Sequence, residues 1–180
     1  MIILGVIHLK GLPGSPSNKL NLEEITELAQ NDIDNLSKAG VNGIIVENFG
    51  DVPFVKNDVS KRTVASLTSV IQNLNIDSKL KLGVNVLRND GIAALSIAEA
   101  TNADFVRINV LNNVMMFTDQ GIIEGEANKI AEFNKSLNKD IEIFADVFVK
   151  HAVPPEGSKI ENHTEELINR AGADVVIVTG

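Results

Sequence analysis

The 180 residues include no cysteine, no tryptophan and no tyrosine, and basic side chains are outnumbered, 16 Lys and Arg against 24 Asp and Glu. Without cysteine there is no disulfide framework, no thiolate metal centre and no thiol nucleophile, a composition that suits a reducing cytosol. With phenylalanine as the only aromatic, a stacking platform for nucleobases is disfavoured. The formal charge of -8 and the lack of a basic stripe argue against a nucleic-acid partner. No apolar run approaches the roughly 20 residues of a membrane span, and "MIILGVIHLKG" has neither a basic leader nor the length of a signal sequence. The expectation is a cytoplasmic protein that does not span a membrane.

What is present is apolar and periodic. Hydrophobic residues make up 44% of the chain, enough for one sizeable core, and a single domain over residues 1–180 is expected. Runs rich in Val, Ile and Leu stand at 2–7, 43–48, 80–87, 104–111, 141–149 and 174–180. Between them, segments of helical period cover 22–40, 60–74, 91–102, 124–137 and 163–172. Nearly continuous apolar strands alternating with helices indicate an α/β fold with a parallel sheet covered on both faces. The recurring "AGVNG", "TNADF" and "AGADV" repeat one device, a helix end followed by a small residue entering the next strand. That repetition favours a (β/α) barrel over a doubly wound open sheet. Six strands fall short of the eight a barrel needs, and the chain stops at "IVTG" directly after a strand, so a C-terminally truncated barrel of about six units is expected.

In such a barrel, function gathers where strands end, so ionisable and amide side chains at those ends carry the interest. His8 and Lys10 follow the first strand, Glu47 and Asn48 end the second, Asn85 the third, Arg107 and Asn109 the fourth, Asp146 the fifth and Thr179 the last. Arg88, Asn89 and Asp90 follow Asn85, and Lys150 and His151 follow Asp146. Period-2 alternation places Glu47 with Ile45, Asn85 with Gly83, Arg107 with Asn109, and Asp146 with Phe148 and Lys150. Each position also has a plainer reading. His8 serves equally as a structural histidine, Arg107 and Asp146 as an ion pair closing the barrel, and Arg88 and Lys150 as surface cations. Convergence of five strand ends on groups that are costly to bury unpaired favours a site.

Two loops add to the pattern. "HLKGLPGSPSN" has glycines that let a backbone approach an anion, although such loops are more often turns. "NNVMMFTDQGIIEGEA" reads as an active-site lid or a helix-capping sequence, with Asp119 as a substrate-contacting residue.

Together, "GVIHLKGLPGSP", "AGVNGIIVENFGDVPF", "LGVNVLRNDGIAAL", "FVRINVLNNVMMFTDQGIIEGEA", "ADVFVKHA" and "GADVVIVTG" span the chain in order and resemble the BtpA family, named for a protein implicated in photosystem I biogenesis. The resemblance implies a phosphate-binding (β/α)8 barrel, in members that continue past "VTG" with two further strands. In barrels of this kind the phosphate site is commonly built after strands seven and eight. It also implies relatives in non-photosynthetic organisms, some encoded beside sugar-uptake or sugar-metabolism genes.

The expected activity is that of an enzyme on a small phosphorylated sugar or related metabolite, a sugar-phosphate or nucleoside-type lyase, isomerase or transferase working by general acid/base chemistry. Asp146 and Glu47 are the candidate acid and base, with His8 and His151 as alternates. Lys150 is a Schiff-base candidate, and Asn85, Arg107 and Asn109 would orient the substrate. His8, Glu47 and Asp146 have donor types that suit a divalent metal, although no short ligand motif demands one. The competing expectation is a non-catalytic assembly or stability factor. Edge strands left by an unclosed sheet would favour a homo-oligomer.

Overall fold

The computed structural model describes residues 1–178, so Thr179, read above as a polar strand end, lies outside the described residues. Along the chain the elements are β1 (Leu4–His8), α1 (Leu22–Lys38), β2 (Gly43–Glu47), α2 (Lys61–Asn73), β3 (Lys81–Asn85), α3 (Gly91–Thr101), β4 (Phe105–Ile108), β5 (Val114–Phe117), β6 (Gly121–Glu124), α4 (Ala127–Ser136), β7 (Glu142–Val147), β8 (Ala152–Val153), α5 (Ile160–Asn169) and β9 (Val175–Val178). Strands β1, β2, β3, β4, β7 and β9 pair in parallel in that order, and the sheet curls into a half-barrel with the helices packed against it.

The alternation of each strand sets its two faces. Ile7, Ile44, Val46, Val84, Val106, Ile108, Ala145 and Val147 face outward and join helix residues such as Ile25, Ile33, Leu67, Val70, Leu95, Ile97 and Leu167 in one continuous core. Each such Leu or Ile contributes roughly 1.5–3 kcal/mol by leaving water. The inner face carries a second set, in which the Phe105 ring lies over Gly83, where a Cβ would meet it at 2.3 Å, and stacks on Phe144 at 4.2 Å. Glycine at 83 is therefore required by the close approach of that ring.

Register then fixes what stands above this floor. His8 pairs with Glu47, Glu47 with Asn85, and Asn85 with Arg107, so four polar side chains from four strands form one row at the C-terminal edge. Asp146 lies two residues beyond Phe144, the β7 partner of Arg107, and so stands one pleat above the row.

The opposite edge repeats a simpler device. Asn42, Asp104 and Asp174 each precede a strand, and their side-chain oxygens accept the N–H of Ile3 just before β1, of Leu82 in β3 and of Ile143 in β7 at 2.8, 2.9 and 2.7 Å. In return their own N–H groups donate to the carbonyls of those same three residues. The recurring turns read in the sequence are thus ties between successive β/α units.

Two expectations are corrected. The stretch after β4 is not a capping sequence: β5 and β6 form an antiparallel hairpin, joined by β8, and α4 begins at Ala127 with no side-chain cap. One face of this small sheet buries Met115, Phe117 and Ile123 with Val110 and Val149. The strand read as 141–149 ends at Val147, because Phe148 adopts φ 48° and His151 φ 70°, a region that bulky side chains rarely enter. Lys150 therefore does not continue the Asp146 face.

Candidate active site

The row at the C-terminal edge opens onto a cavity of about 280 Å³, lined among others by His8, Glu47, Asn85, Arg88, Arg107 and Asn109. Lys150 and His151 reach it from the turn after β7. A larger groove of about 690 Å³ runs between α2, α3 and the start of α4. Its half-buried carboxylate, Asp90, is committed to the N–H groups of Ala93 and Val59, which makes the smaller cavity the stronger candidate.

Within the cavity the polar groups form two linked clusters. Glu47 is 4% exposed; its Oε1 lies 2.9 Å from His8 Nε2, and its Oε2 accepts Asn85 Nδ2 at 3.0 Å. The His8 ring is half exposed and stacks on Phe49 with centroids 4.3 Å apart. Arg107 joins the clusters. Its Nη1 is 3.9 Å from Glu47 Oε2, while Nε and Nη2 donate to both Asp146 oxygens at 3.0 to 3.3 Å.

Asp146 is the deepest member, with a side chain that is fully covered. Asn109 Nδ2 donates to its Oδ2 at 2.7 Å, which leaves Asn109 Oδ1 buried with no partner. Burial pushes the Asp146 carboxyl above the usual carboxylate range; Arg107 and Asn109 oppose that rise and Glu47 adds to it. Glu47, Asn85, Arg107 and Asn109 thus come together with His8 in the cavity wall, whereas Asp146 sits behind them as the partner of Arg107. Asp119 lies exposed in the β5–β6 turn and is not among the residues lining the cavity.

The donor set considered for a metal does not converge. Asp146 is committed to Arg107, whose cationic group lies between it and Glu47, and no group of three His, Asp or Glu suited to a metal occurs among the described residues.

A supporting network centred on Asn48 holds the loops that frame the cavity. Asn48 Oδ1 accepts the N–H of Leu87 at 2.7 Å, and its Nδ2 donates to Asp51, which also accepts the N–H of Leu12 at 2.7 Å. Burial raises the Asp51 carboxyl above its ordinary value, against the pull of these hydrogen bonds. The glycine loop after β1 is absorbed here too: a Cβ on Gly50 would lie 2.3 Å from Gly11 N, so the two backbones cross in contact. Ser17 donates to the Gly50 carbonyl, and Asn18 to that of Gly11. These groups hold protein, which makes the loop structural. Arg88, which resembles a surface cation in the sequence, is 7% exposed.

Comparison with known proteins agrees with this architecture. The BtpA family model matches residues 1–180. An uncharacterised protein of Pyrococcus horikoshii is 48% identical over 178 residues, covering 99% of this chain and 67% of the relative. The photosystem I biogenesis protein BtpA of Synechocystis is 41% identical, covering 99% of this chain and 62% of that protein. Among solved structures, a phosphoenolpyruvate phosphomutase from Streptomyces platensis superposes with a TM-score of 0.56 at 14% identity, over 100% of this chain and 55% of its own, a likeness of fold alone. On the sequence match over its whole length, the chain belongs to the BtpA family.

Proposed function

We propose that the cavity at the C-terminal edge of the sheet is the active site of an enzyme that moves a proton on a small, oxygen-rich phosphorylated metabolite of the sugar class. The observation that carries this reading is the contact between His8, half exposed at the cavity, and Glu47, buried beneath it. With Glu47 ionised, His8 Nε2–H donates to its carboxylate, and Nδ1 is the nitrogen left with a lone pair for a ligand. His8 takes a proton from a carbon or hydroxyl beside a carbonyl, Glu47 stabilises the resulting imidazolium, and the same proton returns to the product. The stack on Phe49 and the bond from Asn85 to Glu47 hold the pair in register.

The other polar groups orient the substrate. Asn109 Oδ1 is a buried acceptor in want of a donor, and a substrate hydroxyl supplies one. Arg107 presents charge at the cavity wall and Asp146 fixes its fork, a positioning role in place of direct acid/base work. Lys150 and His151 approach from the rim. A thermal-shift screen of phosphorylated sugars identifies the substrate class, and turnover by His8→Asn and Glu47→Gln then tests the roles. Unchanged kcat in both variants would reject the assignment.

A second reading, a non-catalytic assembly factor in line with the biogenesis role in the Synechocystis relative's name, has one observation in its favour. Val114, Met116, Ile122 and Val153 are exposed together on the outer face of the small sheet. The cavity favours the enzyme, because its partnerless polar atoms have no use in a scaffold.

A further inference from the structure

Arg88 is a buried cation without a counterion. Its guanidinium lies 4.7 Å from the Phe54 ring centroid and 5.0 Å from that of Phe117, held between loop and hairpin. Among the described residues no carboxylate forms an ion pair with it, and its Nε is buried with no hydrogen-bond partner. Asp119, Glu47 and Asp146 act on it only at longer range, and burial lowers its pKa without removing its charge at neutral pH. The contrast with Arg107, locked by two hydrogen-bonded carboxylate oxygens, is plain. A buried, desolvated guanidinium normally has an anion against it, and the aromatic rings supply only part of that compensation. The open direction is the cavity, which Arg88 lines.

We infer that Arg88 is the anchor for an oxyanion of the ligand, a carboxylate or a phosphate, bound at the β3–α3 side of the cavity. This deepens the active-site reading and rests on the same cavity. It adds an anion subsite on a loop remote from the strands where barrels of this type commonly hold phosphate. The geometry orders the ligand: its anion on Arg88, its hydroxyls toward Asn109, and its reacting carbon toward His8.

The test is calorimetric titration of the purified protein with inorganic phosphate and, separately, with malonate, at constant ionic strength in chloride. Arg88→Met keeps the apolar stem between the two rings and removes the charge, whereas Arg88→Lys keeps a charge without the fork. The wild-type protein is expected to bind at least one of the two anions, with affinity reduced tenfold or more in Arg88→Met and partly retained in Arg88→Lys. The tighter of the two anions assigns the subsite to phosphate or to carboxylate. Affinity in Arg88→Met within twofold of wild type overturns the inference, as does failure of both anions to bind the wild-type protein. Should Arg88→Met fold poorly, a crystal of wild-type protein soaked with the bound anion decides instead. Density within about 3 Å of the guanidinium supports the subsite, and density only elsewhere overturns it. His8→Asn separates this claim from the catalytic one, since it should lower kcat by about 10²- to 10⁴-fold while anion affinity stays within twofold of wild type.

Discussion

At the N-terminal edge of the parallel sheet, Asn42, Asp104 and Asp174 each give an oxygen to a backbone N–H; at the C-terminal edge, Glu47 and Asp146 bond to His8, Asn85, Arg107 and Asn109 instead. The first arrangement is closed, because each of those backbone donors has its acceptor. The second leaves Asn109 Oδ1 and Arg88 Nε buried and unmatched beside a cavity. Similar residue types therefore serve stability at one end and, in our reading, ligand binding at the other, and the difference lies in whether the polar groups exhaust one another.

Substitutions at the two ends should separate cleanly. The largest effect is expected for His8→Asn, which should lower kcat by about 10²- to 10⁴-fold while leaving the melting temperature almost unchanged, since the ring is half exposed. Steady-state kinetics beside a thermal melt checks this, and an equal loss of stability would make His8 structural. Next comes Asp146→Ala, which strands the Arg107 guanidinium and should cost about 3–5 kcal/mol in denaturant unfolding. A loss below about 1 kcal/mol would show that water reaches and satisfies Arg107.

At the other edge the same kind of truncation is mild. Asp174→Ala should destabilise by about 0.5–1.5 kcal/mol, with turnover at the wild-type level, because one part-buried N–H loses its acceptor. A large fall in activity would show that the two ends are coupled through the strands.

The smallest effect is in pH dependence, where the ends have opposite signs. Burial raises the Asp146 carboxyl, so in rising pH the unfolded chain ionises first, near 3.9, and stability falls from there up through the folded pKa. For Asp104, burial acts upward but is outweighed by the Leu82 N–H and by Lys81, which hold the carboxyl below its usual range. Its contribution is present above the unfolded pKa and is lost as pH falls through the folded one. Melting temperatures of Asp146→Asn and Asp104→Asn against wild type should therefore diverge in opposite directions with pH. The Asp104 part should stay below about 1 kcal/mol, since Asp104 is partly exposed.

The sequence revealed much of this asymmetry through local pattern. Glu47, Asn85 and Arg107 interrupt apolar runs where a buried strand has no use for charge, and a parallel register then sets them side by side. The ties at Asn42, Asp104 and Asp174 stand in the repeated turns. Less legible was whatever depends on distant partners. The covering of Asp146 follows from Arg107, 39 residues away, and the burial of Arg88 from Phe54 in a loop and Phe117 at the end of β5. The hairpin did have a signal, the apolar "VMMF" and "GII" on either side of "TDQ" with a glycine opening the second run, but the polar turn residues drew the reading toward a lid or a cap. The end of β7 had none, because Phe148 is not a residue whose identity announces a left-handed backbone.

The most direct measurement is a crystal structure grown with the phosphorylated metabolite that most raises the melting temperature. The account predicts one ligand at the C-terminal edge of the sheet, within hydrogen-bond reach of His8, Asn109 and Arg88. Density confined to the groove between α2 and α3, or to the apolar face of the small sheet, would contradict it.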